Sequence, residues 1–117
     1  MTVVSGQELF AERKRIKQSL ETSITKAFEN GADAAEKTME YRILKAKETA
    51  RQRVEGTPMT IIETMVKGEE TVARAEFEKN IADVKYRASL ENIMAQKLLL
   101  KSIESDIDRE MGRSDDT

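Results

Sequence analysis

Apolar residues recur along this chain at the three-to-four spacing of helices, and the alternation that marks strands is nearly absent. Leu9, Ile16, Leu20, Ile24 and Phe28 fall along one helical face, which predicts a first helix over about residues 6–29. Ser5 followed three residues later by Glu8 forms a capping box at its start, each side chain able to satisfy a free backbone N–H. Asn30-Gly31 tolerates positive φ and reads as a break. Asp33 with Glu36 offers a second cap, so a second helix is expected over about 33–54, with Ala35, Met39, Ile43, Ala46, Ala50 and Val54 as its apolar face. That face roughly keeps the phase of the first. The phase favours a kinked, nearly collinear pair over a chain that folds back at Asn30-Gly31. An uninterrupted helix carrying one glycine, about 1 kcal/mol worse than alanine, stays open beside it.

Glu55-Gly56-Thr57-Pro58 is the clearest boundary. Gly56 suits the left-handed position after a helix end, Thr57 is a good cap, and Pro58 at a first helical position loses no hydrogen bond. These three residues form the expected hinge. A short helix over about 58–67 follows, with Ile61, Ile62, Met65 and Val66 inward, ending at Lys67-Gly68. Glu69 and Glu70 then suit the first turn of a long helix over about 69–111, because carboxylates are favoured at a helix N-terminus. At 1.5 Å per residue that helix would run roughly 65 Å. A polar tail over 112–117 completes the single helical domain expected for residues 1–117.

The long helix carries two apolar stripes. One is Ala73, Phe77, Ile81, Val84, Ala88 and Ala95; the other includes Tyr86, Leu90, Ile93, Met94, Leu100, Ile103, Ile107 and Met111. A widened apolar surface marks a helix with two neighbours. The expected fold is therefore all-α: an elongated, coiled-coil-like antiparallel hairpin with a short connector helix, self-associating as a homodimer or other homo-oligomer. Leu90, Ile93, Leu100, Ile103 and Ile107 are the expected interface. A single partner helix covers one line well, and the other would leave large aliphatic side chains in water at roughly 25 cal/mol per Å².

Composition narrows the chemistry. The 117 residues include no Cys, His or Trp, which removes the usual zinc sites, disulfides, thiol nucleophiles and His-based acid–base catalysis. Only Asp33 and Glu36 show the Glu-x-x-Glu-type spacing that could share a metal on one helix face, and capping accounts for them better. No Gly-x-x-x-x-Gly-Lys phosphate loop occurs. The expectation is a protein that is not an enzyme and uses no cofactor or metal. No run approaches the twenty or so apolar residues of a membrane span, and the start lacks the pattern of a signal peptide. A cytoplasmic protein without membrane partners is expected.

The formal net charge is -2, with +2 over residues 1–56 and -4 over 57–117, a weak argument for one half lying along the other. Two basic stretches stand out: Arg13-Lys14-Arg15 with Lys17, and Arg42, Lys45, Lys47, Arg51 and Arg53. The first spreads around the helix, and the second is interrupted by Glu48 with no aromatic residues to stack bases. A helix-turn-helix over the short and long helices would present Glu69 and Glu70 to phosphates, which repels the duplex. Six methionines, among them Met39, Met59 and Met65, are expected to fill core gaps.

The segments Glu55-Gly56-Thr57-Pro58-Met59-Thr60-Ile61-Ile62, Lys67-Gly68, Val72-Ala73 and Ile107-Asp108-Arg109-Glu110 resemble small helical proteins encoded by phages and prophages of Gram-positive bacteria. The resemblance covers about residues 41–111 and rests mostly on turn chemistry. It implies a phage-type accessory protein of the host cytoplasm and transfers no functional residues. The sequence thus leads to helix-mediated protein–protein contact, modulating a host factor or scaffolding, with a nucleic-acid-associated accessory of replication or recombination as the weaker alternative.

Overall fold

The computed structural model describes residues 6–115, with side chains through residue 112. Three helices account for nearly all of it: α1 over Gly6–Val54, α2 over Ile62–Gly68 and α3 over Glu70–Asp115. The protein is an all-α hairpin in which α1 and α3 are the arms and α2 the connector. The capping residue Ser5 lies outside the described residues.

The expected break at Asn30-Gly31 is absent, and Asp33 is not a cap: α1 runs unbroken through both for 49 residues. Gly31 is explained by packing instead. A Cβ built there would lie 2.9 Å from Cε1 of Tyr86, so the glycine lets the Tyr86 ring rest against the backbone of α1. The helix tolerates the lost propensity because its ladder continues on both sides.

The arm ends where expected. Gly56 has φ +83°. Thr57 N–H donates to Gln52 O at 3.0 Å and Gly56 N–H to Arg53 O at 3.1 Å, the paired bonds of a Schellman end. Beyond it the reading needs correction. Pro58 is not the first helical residue and Thr57 does not cap α2. The Thr57 hydroxyl donates to Gln52 Oε1 at 2.5 Å, Ile61 N–H donates back to Pro58 O at 3.1 Å, and the helix starts only at Ile62. Three residues of turn, Met59, Thr60 and Ile61, therefore separate the hinge from α2. Two of the four expected inward residues point inward: Ile62 and Val66 are buried, four apart on one face, while Ile61 and Met65 are exposed.

Gly68 closes α2, and Glu69 caps α3 with its side chain, accepting from Val72 N–H at 3.0 Å. At its other end α3 continues to Asp115, through Gly112 and past the expected end near 111.

Two compact units make up the chain. The bend unit is Phe28–Arg87; the terminal unit combines Met1–Ala27 with Ala88–Thr117. Within the bend unit, Ile62, Val66 and Val72 form a small core flanked by Tyr41 and Leu44. Tyr41 Oη donates to Glu76 Oε2 at 2.7 Å and so ties α1 to α3. Within the terminal unit, Ser23 Oγ accepts from Asn92 Nδ2 at 2.9 Å and Gln96 Nε2 at 2.8 Å, again joining the two arms.

The inner faces follow a heptad. In α1 the covered positions include Arg13, Ile16, Leu20, Ser23, Ala27, Asn30, Ala34, Lys37, Tyr41, Leu44 and Glu48, spaced alternately by three and four. In α3 the same spacing runs through Val72, Ala75, Lys79, Ala82, Tyr86, Ser89, Ile93, Gln96, Leu100, Ile103, Ile107 and Glu110. Only Tyr86 in these two sets sits just at the exposed side of the boundary. Ion pairs such as Arg15–Glu12, Lys67–Glu63, Lys79–Asp83 and Arg109–Asp106 join residues three or four apart on one helix, so they support helices rather than tie the arms together.

Candidate interaction surface

The heptad decides which apolar residues remain outside. A step of one residue turns a helix by about 100°. The expected face of Ala35, Met39, Ile43, Ala46, Ala50 and Val54 falls between the covered positions Ala34, Lys37, Tyr41, Leu44 and Glu48 or beyond them, never on them, and all six residues are exposed. Ile24 and Phe28 are exposed as well, displaced by Ser23 and Ala27 on the inner line.

On α3 the two stripes fall on different sides. Ile93, Leu100 and Ile103 are half-buried and Ile107 is 4% exposed, all on the inner heptad of the terminal unit. Leu90 lies just outside it, with Met94 exposed beyond. The other stripe faces outward: Phe77 is 65% exposed, and Ala73, Ile81, Val84, Ala88 and Ala95 are all exposed. Phe77, Ile81 and Val84 are themselves spaced four and three, so within the bend unit α3 carries a second apolar line besides the one turned to α1.

Two depressions flank these lines in the bend unit. One, of about 190 Å³, is bordered by Phe77 and Ile81 with Asp33, Lys37, Glu78 and Lys85. Two carboxylates and two ammonium groups therefore surround an apolar floor, and their charges cancel. The other, of about 500 Å³, has Gly31, Ala35, Met39 and Ile43 on α1 and Tyr86 with Asp83 on α3.

The second basic stretch divides. Arg51 is held by Glu48, Nε to Oε2 at 2.9 Å, and by Glu55, Nη1 to Oε1 at 2.6 Å. Its guanidinium is pushed upward by these partners, Glu48 foremost. The buried Glu48 carboxyl is held below its ordinary range by the bond from Arg51 and then by Gln52, whose Nε2 donates at 2.9 Å. This network secures the end of α1 and leaves Arg51 committed. Arg42, Lys45 and Arg53 instead border one shallow depression on α1 with Ala46, Thr49 and Ala50. Lys45 also stands over the Tyr41 ring, 5.9 Å from its centre, and Arg13 stands over Phe10 at 5.1 Å. The bond to Glu76 raises the pKa of Tyr41, with desolvation acting in the same direction.

Among the described residues, no group of three or more His, Cys, Asp or Glu side chains is placed to hold a metal ion, and no helix is long and apolar enough to cross a membrane. The hinge residues Gly56, Thr57 and Pro58 act in the turn and line none of the depressions described above. Sequence reasoning missed the outward-facing line as a free surface because it assigned those residues to the core. The signal that could have found it is the second three-four register, Phe77-Ile81-Val84, running alongside the first. No protein-family model matches the chain, and no curated protein or solved structure matches it.

Proposed function

We propose that this chain is a non-enzymatic accessory protein that acts by protein–protein contact through the outward helix faces of its bend unit. The observation that carries the reading is where the large apolar residues of that unit lie. Its inner line takes Asn30, Lys37, Glu48 and Lys79 beside Ala34, Ala75 and Ala82, while Phe28, Met39, Ile43, Phe77, Ile81 and Val84 face outward. Clustered large apolar side chains on a surface mark contact sites. A phage-encoded protein of the host cytoplasm that modulates a host factor or scaffolds other phage proteins fits this reading, in line with the family it resembles.

A direct test is affinity capture from a lysate of Gram-positive cells, with and without nuclease and across a salt series. A protein retained through nuclease and salt, and lost with Met39→Glu or Phe77→Glu, supports the reading. Capture that vanishes with nuclease and falls steeply with salt contradicts it. That outcome would favour the second reading, a nucleic-acid-associated accessory, for which the alignment of Arg42, Lys45 and Arg53 along one depression is the specific observation.

A further inference from the structure

We infer that the outward line Phe77-Ile81-Val84 of α3 is a self-association seam, covered in solution by the same line of a second copy running antiparallel. The inference rests on the protein-contact reading above and names the partner for one of its faces.

Two observations support it, and a third bounds its strength. First, the spacing of four and three is that of a coiled-coil seam, and the α3 heptad turned to α1 lies on a different side of the helix. A helix with two such lines has room for a neighbour on each, and one chain supplies only α1.

Second, the charges beside the line are self-complementary. In an antiparallel two-fold pairing, Ile81 of one copy rests on Val84 of the other, and Val84 on Ile81. The flanking positions one residue after Phe77 and Val84 are Glu78 and Lys85. The same register sets Glu78 beside Lys85 of the second copy, and the symmetry repeats the pair on the opposite side of the axis. A parallel pairing would instead set Glu78 level with Glu78. Asp33 and Lys37 of α1 border the same depression, so the surface around the line carries two charges of each sign. Such a surface suits its own copy better than a strongly anionic or cationic partner.

Third, the area sets the strength. Phe77, Ile81 and Val84 together present on the order of 300 Å² per copy, well short of the roughly 800 Å² per partner of a standard interface. The dimer is therefore reversible rather than an obligate pair.

The experiment is sedimentation equilibrium on four forms of the full chain at low salt: wild type, Glu78→Lys, Lys85→Glu, and the two changes together. Circular dichroism accompanies each, and helix content is expected to stay constant because both positions are exposed. The wild type is expected to dimerise. Each single reversal sets like charges side by side and weakens association at least about tenfold, and the double reversal restores it. A wild type that stays monomeric at several hundred micromolar overturns the seam. So does a dimer indifferent to both single reversals, which would place the contact elsewhere. The protein-contact reading fails separately: a monomeric wild type that still captures a nuclease-resistant protein through Met39 or Phe77 leaves that reading standing.

Discussion

The inner line of the terminal unit carries Ile16, Leu20, Ile93, Leu100, Ile103 and Ile107, whereas that of the bend unit carries Ala34, Ala75 and Ala82 among Asn30, Lys37, Tyr41, Leu44, Glu48, Val72, Lys79 and Tyr86. Both lines keep the same three-four spacing, but the first has six large aliphatic members and the second only Leu44 and Val72. Burial is worth about 0.8 kcal/mol per methylene, so the bend unit draws less stability from aliphatic burial along its seam. It gains also from Val66 of α2 packed with Val72, each 1% exposed, from the Tyr41–Glu76 bond across the arms, and from the Glu48 network at the end of α1. A residue without a side chain lets a bulky neighbour rest on the backbone, as the Tyr86 ring does on Gly31. The comparison teaches that one helical period can support two kinds of packing, one through aliphatic side chains and one through a polar seam with a few alanines, and that both leave large apolar residues outside, Leu98 and Leu99 in the terminal unit and Met39 and Phe77 in the bend unit.

The largest effect that would separate the two units comes from charging the aliphatic line. Leu100→Glu with Ile103→Glu places two carboxylates on the inner face of the terminal unit and should lower stability by at least about 3 kcal/mol. Phe77→Ser, on the outward line, should leave the unfolding free energy of the monomer within about 0.5 kcal/mol. Thermal melts of both variants at low micromolar concentration check the contrast. Equal losses would mean that inner and outer lines are not distinct.

Next in size is the polar layer of the terminal unit. Ser23→Ala removes the acceptor shared by Asn92 and Gln96 and should cost about 1–2 kcal/mol in urea unfolding. Adding Gln96→Leu should recover part of that loss, because the buried amide is removed along with its missing partner. A second change that deepens the loss would show that the layer does more than satisfy these groups.

A smaller effect probes the close approach in the bend unit. Gly31→Ala should yield none of the roughly 1 kcal/mol that alanine ordinarily gains over glycine in a helix, because its methyl meets the Tyr86 ring. In a Tyr86→Ala background the same change should gain it. A double-mutant cycle measures the difference, and zero coupling would remove the packing explanation for Gly31.

Gly31 also shows where the sequence misleads. An Asn-Gly pair has the same local chemistry at a helix end and inside a packed helix, and the ring that distinguishes them belongs to Tyr86, on the other arm. The helical class, the hinge at Gly56 and the close of α2 at Gly68 were legible because each depends on neighbours within a few residues. The inner faces were not. Ser23, Asn30, Lys37 and Glu48 occupy covered heptad positions in α1, and Lys79, Ser89 and Gln96 do so in α3. Tracing large aliphatic residues alone therefore skips the true line and follows Ile24, Phe28, Met39 and Ile43 onto the outside. The expected interface suffers the same inversion: Ile93, Leu100, Ile103 and Ile107 sit on the inner line, while the stripe assigned to the core is the exposed one.

The smallest expected effect is the pH dependence of the bend unit. Glu48 is held below its ordinary range, so the ionised form favours the folded state. Its contribution is present at neutral pH and is lost as pH falls through that lowered value. Tyr41 is raised above its ordinary 10.0, so its contribution is present below that value and is lost as pH rises through the raised one. Denaturant unfolding across pH should show both limbs. Glu48→Gln should flatten the acid limb and Tyr41→Phe the alkaline one. Unchanged limbs would mean that neither contact couples to folding.

The most direct test of the outward line uses the absence of cysteine in the chain. Ile81→Cys and Val84→Cys are prepared separately, then mixed and oxidised at several hundred micromolar, where the wild type is expected to associate. Antiparallel pairing about the proposed axis brings residue 81 of one copy against residue 84 of the other. The mixture should therefore give a disulfide-linked dimer faster and in greater yield than either variant alone. A mixture that links no better than the separate variants would contradict the account.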